Sequence, residues 1–161
     1  MEQGITSGTS TTTFSPEASC TRAQVATILF RLLDESVRKE YLTESNTFTD
    51  VASNYWAADE ILRAAALGWV QGYQDGSYRP NNSITRAQVV TMINRVLCRM
   101  PEENADLLKG MTSFTDCAEG DWCYLAIQEA TNSHDYKAKS GSIYEAWTDL
   151  NTAPDWSKFE H

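Results

Sequence analysis

Apolar side chains recur at helical spacing in the middle of the chain. Ala57, Ile61, Ala64 and Ala65 stand at i, i+4, i+7 and i+8, which places them on one face of a helix. Gly68 follows them, and glycine commonly ends a helix because it adopts the left-handed conformation without strain. The pattern predicts a short helix that buries an alanine-rich face.

A second helical pattern occurs twice. Each copy begins with a Thr-x-x-Gln capping box, in which the threonine hydroxyl and the glutamine amide satisfy the first backbone N–H groups. The boxes are Thr21 to Gln24 and Thr85 to Gln88. We expect the apolar stripes that follow them to be core, namely Val25, Ile28, Leu29, Leu32 and Leu33 in the first copy and Val89, Met92, Ile93, Val96 and Leu97 in the second.

Both copies belong to an internal repeat. Residues 4–33 align with 68–97 at an offset of 64 without a gap, and Phe-Thr-Asp at 48–50 aligns with 114–116 at an offset of 66. We therefore predict one full repeat with its linker at 48–113. Residues 1–47 are the back half of an earlier repeat plus a linker, and 114–161 are a divergent third repeat with a tail.

The third repeat lacks the glycine-rich loop and the Thr-Arg motif of the second. A different capping box, Ser142-x-x-Glu145, stands there, with Ile143, Trp147 and Leu150 on one helical face. A short back helix is predicted here as well. The fold class that follows is all-α, built from tandem helix-loop-helix repeats.

Charge is distributed unevenly along the chain. The 161 residues carry a net charge of −9, yet residues 1–100 hold nine basic and ten acidic side chains, and the remainder hold four and twelve. An acidic total argues against nucleic acid as a partner, because phosphate binding requires a basic face. No apolar stretch approaches the ~20 residues of a membrane span, so no membrane insertion is expected. All eight arginines lie at or before Arg99, where an anion site is therefore expected.

Arg22 and Arg86 occupy the first helical position of the two copies. A cation there opposes the helix dipole, whereas an arginine beside the free N–H groups of a helix start can complete a carboxylate site. The alternative is an ion pair with a neighbouring Asp50 or Asp75.

The remaining residue types offer little other chemistry. Cys and His do not occur at zinc-ligand spacing, so neither a metal nor a cofactor is expected. No nucleophile stands with a base, so no enzyme activity is expected. The cysteines are either disulfide-bonded or buried free thiols, which leaves the state of four residues open: Cys20, Cys98, Cys117 and Cys123.

Four blocks of the second repeat, in this order, resemble the S-layer homology family. They are Phe48-Thr49-Asp50-Val51, Trp56-Ala57, Gly72-Tyr73-x-Asp75-Gly76-x-Tyr78-x-Pro80 and Ile84-Thr85-Arg86-Ala87-Gln88. The resemblance runs from about residue 2 to 131 and implies three repeats in a pseudo-threefold helical bundle. It also implies an extracellular location at the cell wall or S-layer, and noncovalent anchoring through secondary cell-wall polysaccharide on peptidoglycan, often with pyruvylated sugars.

By that resemblance, arginines at helix starts would hold the pyruvyl carboxylate. Glutamine stands at the usual acidic position of the motif and removes a negative charge beside an anionic ligand. Two tryptophans would supply an apolar platform for a sugar ring, with a polar loop edge beside it. The implied carbohydrate-binding residues are Arg22, Gln24, Trp56, Gly72, Asp75, Arg86, Gln88 and Trp122. The alternatives are helix-packing core for the two tryptophans and turn stabilisation for Asp75.

Two further possibilities remain open at this level. Degeneration of the third repeat suits a structural or protein-interaction module that kept the fold without glycan binding. The first repeat lacks its front half, so a second copy of the chain could supply it in a swapped homo-oligomer.

Overall fold

The computed structural model describes residues 5–6, 9–10, 12–34, 38 and 47–155. The chain divides into two compact units, Met1–Thr85 and Arg86–His161, a division inside the repeat predicted at 48–113. The described helices are α1 (Arg22–Arg31), α2 (Ala58–Ala66), α3 (Arg86–Val96) and α4 (Tyr124–Thr131), with a 3-10 turn at Asn104–Asp106. Two strands follow, β1 (His134–Ala138) and β2 (Glu145–Leu150). None of the helices in these ranges is long and apolar enough to cross a membrane.

In the first unit, α1 packs against α2. The predicted face of α2 is confirmed for Ala57 and Ile61, which are fully buried, and for Ala64, which is nearly so; Ala65 is half-buried. The capping box of α1 is also confirmed. The backbone N–H of Gln24 donates to Thr21 Oγ1 over 3.2 Å, and Thr21 N–H donates to Gln24 Oε1 over 2.8 Å.

The large apolar stripes of the two repeated helices are buried only in part: Met92 is 6% exposed, whereas the other members are half-buried or exposed. In α1 the buried face is formed by Arg22, Ala23, Ala26, Thr27 and Phe30, and Leu32 beyond it is 56% exposed. In α3, Ile93 is exposed and Leu97 beyond the helix is exposed as well. The core prediction for these stripes is therefore wrong in part. The small side chains of α1 let it approach the alanine face of α2, and this contact decides which side is buried.

The backbone hydrogen bonds before α2 and α4 repeat at the same offset of 66 residues. In the turn before α2, Tyr55 N–H donates to Ala52 O over 2.9 Å and Ala58 N–H donates to Tyr55 O over 3.0 Å. In the turn before α4, the equivalent bonds run from Asp121 N–H to Ala118 O and from Tyr124 N–H to Asp121 O, both 3.0 Å. The third repeat therefore opens with the same turn as the second.

After α4 the third repeat departs from the others, and the predicted back helix is wrong. β1 and β2 form an antiparallel hairpin in which His134 pairs with Leu150 and Ala138 with Glu145. Gly141, at φ 73°, lies in the turn between them. Ser142 does not cap a helix, because its hydroxyl accepts the N–H of Tyr144 within that turn. The fold is thus mostly helical with a two-stranded sheet, and the all-α class is corrected; the pseudo-threefold bundle stays a prediction.

A buried cluster of charged residues explains the hairpin. Arg99, Glu129, His134 and Glu145 form this cluster, which we call the Arg99 cluster. Arg99 Nη2 lies 3.1 Å from Glu129 Oε1 and 3.2 Å from Glu145 Oε1, and His134 Nε2 lies 3.1 Å from Glu145 Oε1. The Glu145 side chain is 1% exposed, so the chain must present it inward at this position. A buried carboxylate needs such partners, because desolvation without them is costly.

Trp147 fixes the same face of β2. Its indole N–H donates to Glu129 Oε2 over 2.9 Å, and its ring stacks on His134 with centroids 4.0 Å apart. Glu145 and Trp147 are two residues apart and both buried, which is the period of a strand and not of a helix. These tertiary partners override the local helix signals.

Glu129 gives the second unit a predicted pH dependence. Burial raises the pKa of Glu129 above its usual value of 4.5, against the hydrogen bond from Trp147 and the charges of His134 and Arg99. The folded state thus holds this proton more tightly than the unfolded chain does. The resulting stabilisation is full below the usual value and is lost as pH rises through the folded pKa. As pH falls from neutral, we expect the wild type to gain stability relative to Glu129→Gln, as measured by urea unfolding across that range. Parallel pH profiles of the two proteins would contradict this expectation.

Candidate functional site

A groove of about 480 Å³ lies in the first unit beside α1. Its lining brings together two predicted site residues, Gln24 and Trp56, with Arg31 and Tyr55. Trp56 is 56% exposed, so the alternative that it is helix-packing core is wrong. Gln24 and Trp56 are 32 positions apart in the sequence, and the fold places both on one groove.

The turn before α2 supports the aromatic side chains of the groove. Tyr55 donates its hydroxyl to Asn81 Oδ1 over 2.8 Å, and its ring lies 5.8 Å from that of Trp56. An exposed indole beside a fixed phenol forms a broad apolar surface with polar edges. This surface suits a ligand that has both an apolar face and hydroxyl groups.

Two polar groups of α1 line the same groove. The capping box engages Gln24 Oε1, so the amide nitrogen is the group of that side chain that can donate to a ligand. Thr27 is 4% exposed, and its Oγ1 has no hydrogen-bond partner among the described residues. A buried hydroxyl is rarely left unsatisfied. Because Thr27 Oγ1 is buried, the Gln24 amide nitrogen is the group of this pair that can reach a ligand in the groove.

A second cavity of about 620 Å³ shares Arg31, Tyr55 and Trp56 with this groove. Arg38 and Arg63 also line it, which brings three guanidinium groups to one cavity; we call it the arginine cavity. Two carboxylates offset part of this charge, because Arg31 lies 2.9 Å from Glu60 and Arg63 lies 3.7 Å from Asp59. Arg31 recurs as Arg95 in the repeat, which was the one sequence signal available for it.

Arg22 is held by the protein itself. It is 7% exposed, and it donates from Nε to Tyr78 O over 2.8 Å and from Nη2 to Gln71 O over 3.0 Å. Its guanidinium carbon lies 4.6 Å from the centroid of the Tyr78 ring. Arg22 thus fastens the 71–80 loop to the start of α1. Its partners are backbone oxygens, so the alternative of an ion pair with Asp50 or Asp75 is wrong for Arg22. A carboxylate-binding role for Arg22 stays a prediction.

Asp75 stabilises its own loop. Its carboxylate accepts the hydroxyl of Ser77 over 2.6 Å, the Ser77 N–H over 2.9 Å and the Arg79 guanidinium over 2.8 Å. These bonds, those of Ser77 first, hold the pKa of Asp75 well below its usual range. The turn-stabilising alternative is therefore confirmed, and a role in ligand binding stays a prediction.

Gly72 has a steric role in the same loop. A Cβ atom added there would lie 2.6 Å from Phe48 Cε1 and 2.8 Å from Ser77 O. We expect Gly72→Ala to lower the free energy of unfolding by about 1–3 kcal/mol, as forced overpacking does. Thermal unfolding measures this loss. Gly68→Ala is the control, since its added Cβ meets nothing within 4 Å and tests only the strain of φ 75°. Equal losses in both variants would contradict the steric role.

The other predicted residues belong to the second unit. Arg86 is exposed at the first position of α3, Gln88 is half-buried one position beyond Ala87, and Trp122 is 68% exposed. Trp122 is therefore not core, as Trp56 is not. The binding roles of these three residues stay predictions.

Within the described part of the chain, residues of the types that bind metal ions lie together in the Arg99 cluster. One atom each of Glu129, His134 and Glu145 lie within 4.8 Å of one another. Arg99 is within hydrogen-bonding distance of all three, so the cluster has an internal cation to balance its carboxylates. The sequence carries no local signal of this cluster, because its members are scattered from 99 to 145.

Comparison with known proteins matches residues 2–26 and 47–90 to the S-layer homology domain. Among similar proteins, a cellulosome-anchoring protein of Acetivibrio thermocellus is 36% identical over 84% of this chain and 29% of its own length. Cell surface glycoprotein 1 of the same organism is 32% identical over 83% of this chain and 6% of its own length. An endoglucanase of Bacillus sp. is 31% identical over 99% of this chain and 17% of its own length.

This chain thus spans less than a third of each of these relatives. Further relatives include a middle cell wall protein of Brevibacillus brevis and a surface layer protein of Brevibacillus choshinensis. Their names support an extracellular location at the cell surface. The matched segments contain the Thr-Arg-Ala-Gln start of α1 and α3 and the Trp56 turn, so the chain belongs to the S-layer homology family.

Proposed function

We propose that this chain is a noncovalent cell-wall anchoring module that binds an anionic, pyruvylated secondary cell-wall polysaccharide through the groove at Trp56. The observation that carries the proposal is an exposed indole between two cavities that share Arg31. Relatives named for cellulosome anchoring, cell walls and surface layers support the anchoring role.

The chemistry of the groove suits a saccharide. A sugar ring presents an axial C–H face that stacks on an indole, and its hydroxyls require fixed donors and acceptors around that face. Tyr55 and the Gln24 amide provide such groups along the lining. The ligand's hydroxyls would accept a hydrogen bond from the Gln24 amide nitrogen, which the capping box does not use.

The charge of the neighbouring arginine cavity suits an acidic sugar. Arg31, Arg38 and Arg63 face two carboxylates across that cavity, which leaves one positive charge in excess. A guanidinium binds a carboxylate through two parallel hydrogen bonds, the geometry that a pyruvyl ketal offers. Arg86, exposed at the start of α3, and Arg22 remain the helix-start arginines proposed for the same class of ligand. Gln88, Trp122, Gly72 and Asp75 also remain proposed binding residues.

Cosedimentation with purified cell walls tests the proposal. We expect Arg31→Gln to weaken binding about tenfold, because a hydrogen bond to a charged group contributes about 1.5–3 kcal/mol. Arg79→Gln is the matched control, since Arg79 is an exposed arginine of the same unit and lines neither cavity. Walls stripped of the polysaccharide should bind neither the wild type nor the two variants.

Undiminished binding to stripped walls would overturn the proposal and favour the structural or protein-interaction module. We propose that the module acts without catalysis. The match to the endoglucanase covers 17% of that protein, so most of the endoglucanase lies outside the matched part. A swapped homo-oligomer stays a prediction, which sedimentation velocity of the intact chain tests.

A further inference from the structure

Two cysteines of the third repeat replace two core residues of the second. At the offset of 66, Cys117 corresponds to Val51 and Cys123 to Ala57. Val51 is 1% exposed and Ala57 is fully buried, so both positions are core in the second repeat. Paired replacement of two core positions by cysteine in one repeat points to a relation between the two side chains.

The structure brings those two side chains together. The Cys123 side chain is near enough to raise the pKa of the Cys117 thiol, and both residues are free thiols. Cys117 is 5% exposed and Cys123 is half-buried at the residue before α4. Two neighbouring thiols joined by a short ordered turn meet the first condition for a disulfide, which is proximity.

The intervening turn is well ordered by its own hydrogen bonds. Ala118 N–H donates to Asp121 Oδ2 over 2.8 Å, and Asp121 N–H donates to Ala118 O over 3.0 Å. Gly120, at φ 101°, takes the conformation that the turn needs. The turn carries Trp122, which is 68% exposed. A bond between the cysteines would close this turn at both ends.

We propose that Cys117 and Cys123 form a disulfide bond at the cell surface, which clamps the turn that presents Trp122. An extracellular location is the compartment in which disulfides form and persist. The inference depends on that location and on the two side chains, and it does not require glycan binding.

The reaction is a thiol–disulfide exchange with a small-molecule or protein disulfide as oxidant. The half-buried Cys123, as thiolate, attacks one sulfur of the oxidant, forms a mixed disulfide and releases one thiolate. Cys117 then loses its proton to solvent, attacks Cys123 Sγ and releases the second thiolate. The two cysteines are oxidised and the oxidant's disulfide is reduced to two thiols.

Burial, with the neighbouring charge of Cys123, raises the pKa of the Cys117 thiol. Once Cys123 is in the mixed disulfide it carries no charge, so it no longer raises the pKa of the Cys117 thiol. This order makes Cys123 the attacking residue and Cys117 the resolving one.

Mass spectrometry of the intact chain tests the bond. The protein is equilibrated with glutathione disulfide and an excess of reduced glutathione, which keeps isolated thiols free, and is then unfolded in urea with iodoacetamide. We expect alkylation of Cys20 and Cys98, both exposed in the fold, and the loss of two hydrogen atoms from the remaining pair. Cleavage on the N-terminal side of Asp121 separates the cysteines, so a linked pair of peptides should survive until reduction.

Variants make the result decisive. Cys98→Ala should leave the linked pair intact, whereas Cys117→Ala or Cys123→Ala should abolish it. The double variant Cys117→Val with Cys123→Ala restores the residues of the second repeat, and we expect it to fold. Reductant should lower the melting temperature of the oxidised wild type and leave that of the double variant unchanged. Alkylation of all four cysteines, or a link that includes Cys20 or Cys98, would overturn the proposal.

Discussion

Trp56→Ala is expected to weaken binding to wall polysaccharide by about 30-fold, the cost of truncating a central aromatic anchor by about 2 kcal/mol. The indole is 56% exposed before any ligand binds and lines both the groove and the arginine cavity. Removing it takes away the surface on which a sugar ring would stack. Because the side chain is exposed, the fold should lose little stability, and the effect should lie in binding alone. Cosedimentation with purified walls measures it.

Leu32→Ala is the matched control for this substitution. Leu32 lies in the same unit, is also 56% exposed and lines neither cavity. We expect wild-type binding from Leu32→Ala. Equal losses in the two variants would mean that exposed apolar area in general, and not the groove, holds the chain to the wall.

Arg99→Met is expected to destabilise the second unit by about 3–5 kcal/mol, the usual cost of removing one partner from a buried ion pair. Arg99 balances Glu129 and Glu145, whose side chains are 4% and 1% exposed. Methionine fills much of the volume but removes the guanidinium from both carboxylates, which leaves them His134 and, for Glu129, the Trp147 indole. Urea unfolding followed through the Trp147 indole signal should show the loss, since that indole donates to Glu129.

Lys137→Met tests whether loss of any cation in the hairpin has the same effect. Lys137 is exposed on β1, where a surface charge contributes about 0–1 kcal/mol. We expect Lys137→Met to change the free energy of unfolding by no more than that amount. If Arg99→Met also stayed within that range, the Arg99 cluster would not be what holds β2 in place.

Local sequence signals predicted the helices of the first unit well. The capping box at Thr21 sets the start of α1, and the alanine face of α2 is buried as the spacing of Ala57 and Ile61 indicates. These signals involve neighbouring residues, so the sequence displays them directly. Which side of α1 is buried was predicted less well, because the contact with α2 decides it.

The hairpin could not be predicted, because the residues that stabilise it are far apart in the sequence. Ser142 and Glu145 have helix-capping spacing, yet Glu145 bonds to Arg99, 46 positions away. A buried glutamate also conceals the two-residue period that it shares with Trp147, because a polar residue does not count as core in a hydrophobicity pattern. Long-range electrostatics therefore decided the structure of this segment.

The site was predicted in part. Gln24 and Trp56 share a groove, whereas Arg22 is used to fasten a loop that the sequence presents only as glycine-rich. Arg31 was visible as a repeated residue without a role. Its position at the groove depends on how α1 packs against the turn at Tyr55, which spacing alone does not reveal.

Calorimetric titration of the intact chain with purified secondary cell-wall polysaccharide tests the central claim most directly. We expect saturable binding that falls on removal of the pyruvyl ketals and falls again in Trp56→Ala. Polysaccharide that fails to bind the folded chain, or binds wild type and Trp56→Ala equally, would contradict it.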